Sequence, residues 1–243
     1  GVKVIPSRGA WIEIETDLDK TLYVRIDRKR KFSVASLLRA FGAETDSEIF
    51  ELFKDNPNAR EYLEKSIAKD HAKTADESFI EIYRRLRDGD LATAENAREF
   101  FKNLFDSDRY DLQKVGRFRF NSRFNLPTEG KGSDRRTLNL EDLRLVVDHI
   151  ITLNSTPGAI EDDIDHLGSR RVRYMGEMMQ QKFRIGMAQI KRNMQNKMST
   201  VDADMALPIQ FITPKPLQAR IKEFFTTNQL SQFMSQENAL SEI

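Results

Sequence analysis

Two strings toward the C-terminal end hold the residue types best suited to chemistry. In Asp162-Asp163-Ile164-Asp165-His166, carboxylates and an imidazole crowd together, and Arg170, Arg171 and Arg173 follow at once. These are hard and borderline ligands, so a divalent cation is one reading. The spacing matches no calcium loop and no zinc motif. The local alternative is that the aspartates cap a turn and pair with the arginines. The second string is Phe224-Phe225-Thr226-Thr227-Asn228-Gln229-Leu230-Ser231-Gln232-Phe233-Met234. Its amides and hydroxyls beside large apolar side chains suit an extended polar ligand. There is no glycine-rich phosphate loop, and the 3 histidines of the chain give no Ser/His/Asp set. No catalytic residue and no metal ligand is therefore assigned.

A further constellation lies near the start. Trp11 is the single tryptophan, just after Arg8-Gly9, and Arg25, Arg28, Lys29, Arg30 and Lys31 come soon after. A flat ring beside cations is what a single-strand platform needs, because the ring stacks on a base while the cations take phosphates. A core tryptophan beside a solvated basic turn is the other reading.

The elements that must position these residues follow from periodicity. Trp11 to Glu15 and Leu22 to Ile26 alternate as half-buried strands, with a turn over Asp17 to Lys20, which predicts an antiparallel hairpin. Ser33 caps a short helix through Leu37, Leu38 and Phe41 that stops at Gly42. Thr45 with Glu48 and Thr74 with Glu77 read as capping boxes, and Asn56-Pro57 as a cap followed by proline at the first helical position. Phe79, Ile82, Tyr83 and Leu86 share a helix face that ends at Gly89. Thr93 starts a helix carrying Ala97, Phe100, Leu104 and Phe105. Thr128 to Asp134 is a polar loop, Leu138 to Ile151 is helical, and Asn154 to Gly158 is a loop again. From Val172 a long helix carries Met179, Phe183, Met187, Ile190, Met194 and Met198 as a core or interface stripe. Prolines 208, 214 and 216 precede a last helix over Leu217 to Phe225. The fold class is mainly helical α+β, with a small antiparallel sheet.

The chain has 243 residues, 39% hydrophobic and 32% charged, enough for one large or two modest domains. It has no apolar run near the ~18 residues of a membrane span, so no membrane partner is expected. The absence of cysteine excludes disulfides and fits a reducing cytoplasm. Gly1 at the start and an open pattern at Ile243 read as a piece of a longer protein. The net charge of +1 hides an asymmetry: Ala43 to Asp108 holds 17 acidic and 10 basic residues, or −7, so the rest sums to +8. Basic residues concentrate in Gly116 to Arg136 and Ser169 to Met198, which suggests a phosphate-facing side opposite an acidic body.

Several strings, in order, resemble the β subunit of bacterial RNA polymerase. They include Ile5 to Trp11, Tyr23 to Lys31, Glu81 to Arg87, Asp108 to Leu112, Val115 to Arg117, Asp162 to Arg173, Phe183 to Gly186, and the segment from Phe224. The resemblance implies a lobe over residues 1–168, a returning segment of the protrusion over 169–225, and the start of the fork and rifamycin region over 226–243. It implies one side of the downstream DNA channel. Trp11 would stack on a base of the nontemplate strand, Asp165 would hydrogen-bond a guanine, and Asp27 and Arg28 would shape that pocket. Arg170 and Arg173 join the nucleic-acid set. Gln229, Leu230, Gln232, Phe233 and Ser235 would line the rifamycin pocket beside the nascent RNA–DNA hybrid.

The implied partners are DNA, as nontemplate strand and downstream duplex, the RNA hybrid, the β′ and α subunits, and σ or other transcription factors. The catalytic aspartates that hold magnesium belong to β′ in that family, so this chain is expected to need no cofactor and to add no nucleotide alone. A docking module for σ or another factor is the alternative reading. The chain departs from the family's pattern at Thr226-Thr227-Asn228, usually Gly-Ser-Ser, and at Ser235, Glu237 and Ala239, usually aspartate, asparagine and proline. Loss of the carboxylate at Ser235 implies weakened rifamycin binding.

Overall fold

The computed structural model describes residues 1–87, 89, 91–128, 130, 134–200 and 207–241. It divides into two compact units, Gly1–Glu161 and Asp162–Ile243. The fold is mainly helical α+β. The N-terminal unit holds a four-stranded antiparallel sheet in the order β1 (Val2–Val4), β2 (Ile12–Thr16), β3 (Leu22–Ile26), β4 (Phe32–Ser33). The hairpin predicted from the period-2 pattern is β2–β3, in the register Ile12↔Ile26 through Thr16↔Leu22. Its turn is closed by Lys20 N–H donating to the Asp17 carbonyl at 3.0 Å.

The alternation itself fails in β2. Ile12, Glu13 and Ile14 are all buried. Glu13 tolerates this by an ion pair at 2.9 Å with Lys3, its register partner on β1. β3 keeps the clean alternation, with Leu22, Val24 and Ile26 inward. Each such side chain contributes roughly 1.5–3 kcal/mol of burial.

Helices pack over the sheet. Ser33 Oγ accepts from Ala35 N–H and starts α1 (Val34–Ala40). Both predicted capping boxes are present, Thr45/Glu48 on α2 (Asp46–Leu52) and Thr74/Glu77 on α4 (Ala75–Leu86). Thr93 caps α5 (Ala94–Leu104) through Asn96 N–H. The Asn56-Pro57 start is displaced: α3 (Ala59–Ala68) begins two residues after Pro57 with Asn58 at its cap. Asn56 Oδ1 still accepts from the Asn58 N–H at 3.1 Å, and its amide NH2 donates to Asp148 at 2.7 Å, on α7 (Leu140–Ser155). α4 ends at Leu86, before Gly89. Phe41 meets Phe101 and Phe105 edge-on, at 5.2 and 4.9 Å between centroids, joining α1 to α5.

α6 (Gln113–Arg123) and α7 are tied by charge. Arg117, fully buried, donates to both Asp142 oxygens at 2.9 Å, and to the Arg135 and Thr137 carbonyls at 2.6 and 2.7 Å. Asp142 also closes a capping box with Asn139 at the start of α7. Of the basic residues at 116–136, Arg117 is buried, while Arg135 and Arg136 are exposed and pair with Asp142 and Asp111.

The C-terminal unit holds α8 (Met175–Met198), α9 (Pro208–Phe211) and α10 (Lys215–Thr227). α8 and α10 approach closely at Gly186, where a Cβ would lie 2.9 Å from Leu217 Cδ1. Lys182 pairs with Glu223 at 2.7 Å across the same contact. The predicted stripe is divided: Met179, Ile190 and Met194 are half-buried on the face that carries Lys182 and Gly186, whereas Phe183, Met187 and Met198 stay 46%, 45% and 60% exposed. Pro216 lies inside the first turn of α10, where proline is tolerated. Among the described residues, no helix is long and apolar enough to cross a membrane.

Candidate nucleic-acid interface

Trp11 immediately precedes β2 rather than opening it. Its neighbours Ala10 and Ile12 are buried, whereas Trp11 itself is only half-buried and is not enclosed in the core. That disposes of the core-tryptophan reading. The approach to Trp11 is built from the loop before α6. Ser7 and Arg8 N–H donate to the Asp111 carbonyl at 2.9 and 3.1 Å, and Asp111 N–H returns to the Arg8 carbonyl at 2.8 Å. The Asp111 carboxylate takes both prongs of Arg136 at 2.8 and 2.7 Å and the Gln113 N–H at 2.7 Å.

Gly9 allows the close passage. Its φ is +119°, and a Cβ there would sit 2.7 Å from the Tyr110 ring and 3.1 Å from the Arg109 carbonyl. Only glycine meets both demands. Tyr110 is fully buried against Phe105, and burial pushes its hydroxyl ionisation above the ordinary tyrosine range.

Asp27 and Arg28 come to Trp11 from β3. The Trp11 N–H donates to Asp27 Oδ1 at 2.8 Å, and Asp27 N–H donates to the Trp11 carbonyl at 3.0 Å. The Arg28 guanidinium lies 5.1 Å from the indole centroid, within cation–π range. Both residues have left-handed backbone, φ 50° and 59°. The structure therefore brings Trp11, Asp27 and Arg28 together. Other cations on and after β3 have different work: Arg25 faces Glu15 at 3.5 Å, and Lys31 lies 4.2 Å over Tyr23. The supporting residues Gly9, Tyr110 and Asp111 carry no chemical signature in sequence beyond a glycine before a strand.

The remaining candidates lie in the C-terminal unit. Asp163 Oδ1 accepts from the Asp165 and His166 N–H groups, each at 3.1 Å, so an aspartate does cap this turn. Asp165 is exposed and pairs with Arg170 at 3.4 Å. Arg171 forks at 2.8 and 2.7 Å onto Glu177, in the first turn of α8. Arg173 is exposed. Gln229, Leu230, Gln232, Phe233 and Ser235 follow α10 and are exposed.

Among the described residues, no group of three or more His, Cys, Asp or Glu side chains is placed to hold a metal ion. A depression of 210 Å³ lined by Phe53, Asn56, Arg144 and Asp148 is smaller than the roughly 300–1,000 Å³ of ordinary ligand sites.

Residues 2–173 match the family model described as RNA polymerase Rpb2, domain 2. Over 99% of its length the chain is 43% identical to the DNA-directed RNA polymerase subunit beta of Dehalococcoides mccartyi. The same subunit of Synechococcus elongatus is 41% identical and that of Thermosynechococcus vestitus 42%, each over 99% of the chain. The matched stretches are 19%, 21% and 21% of those proteins, so the chain spans about a fifth of the curated relatives it matches.

Proposed function

The chain belongs to the RNA polymerase Rpb2 domain 2 family and is similar to bacterial β subunits over nearly its whole length, and from that premise we propose that it serves DNA-directed transcription by holding unpaired DNA on Trp11. The observation that carries this reading is the state of Trp11: outside the core, its backbone clamped by Asp27, and a cation on its ring. A ring held in this way stacks on a base without first losing its own freedom, and neighbouring arginines take phosphates. The nontemplate strand at the edge of the downstream channel is the strand proposed. Asp165, Arg170 and Arg173 are proposed to meet the same nucleic acid, and the segment from Gln229 to Ser235 the RNA hybrid. Nucleotide addition and its magnesium are assigned to other parts of such a polymerase, including β′.

A second reading has its own support. The exposed Phe183, Met187 and Met198 on α8 suit docking of a protein such as σ, another factor, or the β′ or α subunit. Fluorescence anisotropy of a labelled single-stranded DNA separates the two. The expected result is weak, salt-sensitive binding that falls about tenfold in Trp11→Ala. Binding unaffected by that substitution, or none at low and moderate salt, would put the docking reading in its place.

A further inference from the structure

We infer that Arg28 is a positioning residue that closes one face of Trp11, so that the indole offers a single face to a single unpaired base; this rests on the stacking reading above. The register Ile12↔Ile26 brings the residues just outside the pair, Trp11 and Asp27, opposite each other, and the two hydrogen bonds between them fix that alignment. Directly after, the chain turns. Lys29 N–H donates to the Ile26 carbonyl at 3.0 Å around two consecutive left-handed residues, Asp27 and Arg28. Such a turn is satisfied without strain by glycine or asparagine at its centre. Arginine satisfies it only with strain, and the strain delivers the guanidinium to the indole at 5.1 Å.

A backbone that is strained in order to place one side chain on another is the pattern of a site kept for function at a cost in stability. The planar cation excludes a second base from the covered face. It also stands beside the phosphate of whatever nucleotide occupies the other face.

The chain has a single tryptophan, so its fluorescence reports this site alone. The experiment compares the parent chain with Arg28→Gly, Arg28→Lys and Trp11→Ala. It measures acrylamide quenching of Trp11, thermal unfolding, and anisotropy with a labelled strand of about 12 nucleotides, in normal and abasic forms. In Arg28→Gly, quenching should rise about twofold or more as the covered face opens. Melting temperature should hold or rise, because glycine enters the left-handed turn freely. Affinity for the base-bearing strand should fall about two- to fivefold, more than for the abasic strand. Arg28→Lys, which restores the charge without the planar cover, should recover binding to the abasic strand and keep quenching above that of the parent.

Unchanged quenching in Arg28→Gly would overturn the inference. So would a lower melting temperature in that variant, which would make Arg28 a structural clamp. If Trp11→Ala loses base-dependent binding while Arg28→Gly does not, the role of Arg28 falls and the stacking reading survives. If Trp11→Ala loses none, both fall together.

Discussion

Tyr110 shows how much local physics is invested in presenting Trp11. Its ring supports Gly9, two residues before the indole, and its hydroxyl is buried with no hydrogen-bond partner among the described residues. Desolvation favours the neutral phenol and raises its ionisation above the unfolded value of about 10. The folded chain therefore keeps a proton that the unfolded chain releases. This contribution to stability is complete below about pH 10 and is lost as pH rises beyond it. In Tyr110→Phe the ring and its packing remain, and the solitary hydroxyl goes. Its unfolding free energy at neutral pH should equal or exceed the parent's by about 1 kcal/mol. Urea titrations above pH 10 should show the parent losing stability more steeply than the variant, and coincident slopes would refute the assignment. None of this was legible in the sequence, where Tyr110 is one of 5 tyrosines. Trp11 was legible by its rarity and its basic neighbours. Its clamp was not, because Asp27-Arg28 lacks the glycine that usually announces a left-handed turn.

Between elements, the strongest claim concerns the joint of α6 and α7. Arg117 and Asp142 are each 1% exposed, and their forked pair unites two helices and a cap. Removing one partner leaves the other charge buried and short of compensation, so Arg117→Met should cost about 3–5 kcal/mol in urea unfolding. Replacing both, as Arg117→Met with Asp142→Leu, should recover part of that loss, as a double-mutant cycle would reveal. A cost under about 1 kcal/mol for the single variant would mean that the pair contributes little. Elements were read best where a local signal ends them. The boxes at Thr45 and Thr74 and the caps at Ser33 and Thr93 rely on neighbours within a few positions. Asn56 does cap the turn through Asn58 N–H, but the regular helix starts at Ala59, and the bond from its NH2 to Asp148 is one that sequence spacing cannot show. The α8 stripe was legible only in part: Met179, Ile190 and Met194 are half-buried, yet the closest approach to α10 is set by Gly186, the residue with no side chain.

For the whole molecule, the decisive contrast is where apolar surface is buried. The sheet, α1, α3 and α7 share one continuous core in the N-terminal unit, with Ile12, Leu22, Leu38, Leu63 and Val147 fully enclosed. Among the described residues of the C-terminal unit, only Gly186 and Phe224 are buried. One enclosed phenylalanine contributes about 1.5–3 kcal/mol. The Lys182–Glu223 pair adds little, since a partly exposed pair is worth about 1 kcal/mol at most. The C-terminal unit should therefore open at a much lower free energy than the N-terminal one. Amide hydrogen exchange on the 243-residue chain tests this directly. Amides of α8 and α10 should exchange orders of magnitude faster than those of β2, β3 and α7. Added single-stranded DNA held on Trp11 should slow exchange in β2 and β3 first, because binding adds stability only where it is coupled to folding. Equal protection of α8 and β2 in the free chain would contradict the account, since the groups that the C-terminal unit buries are too few to supply it.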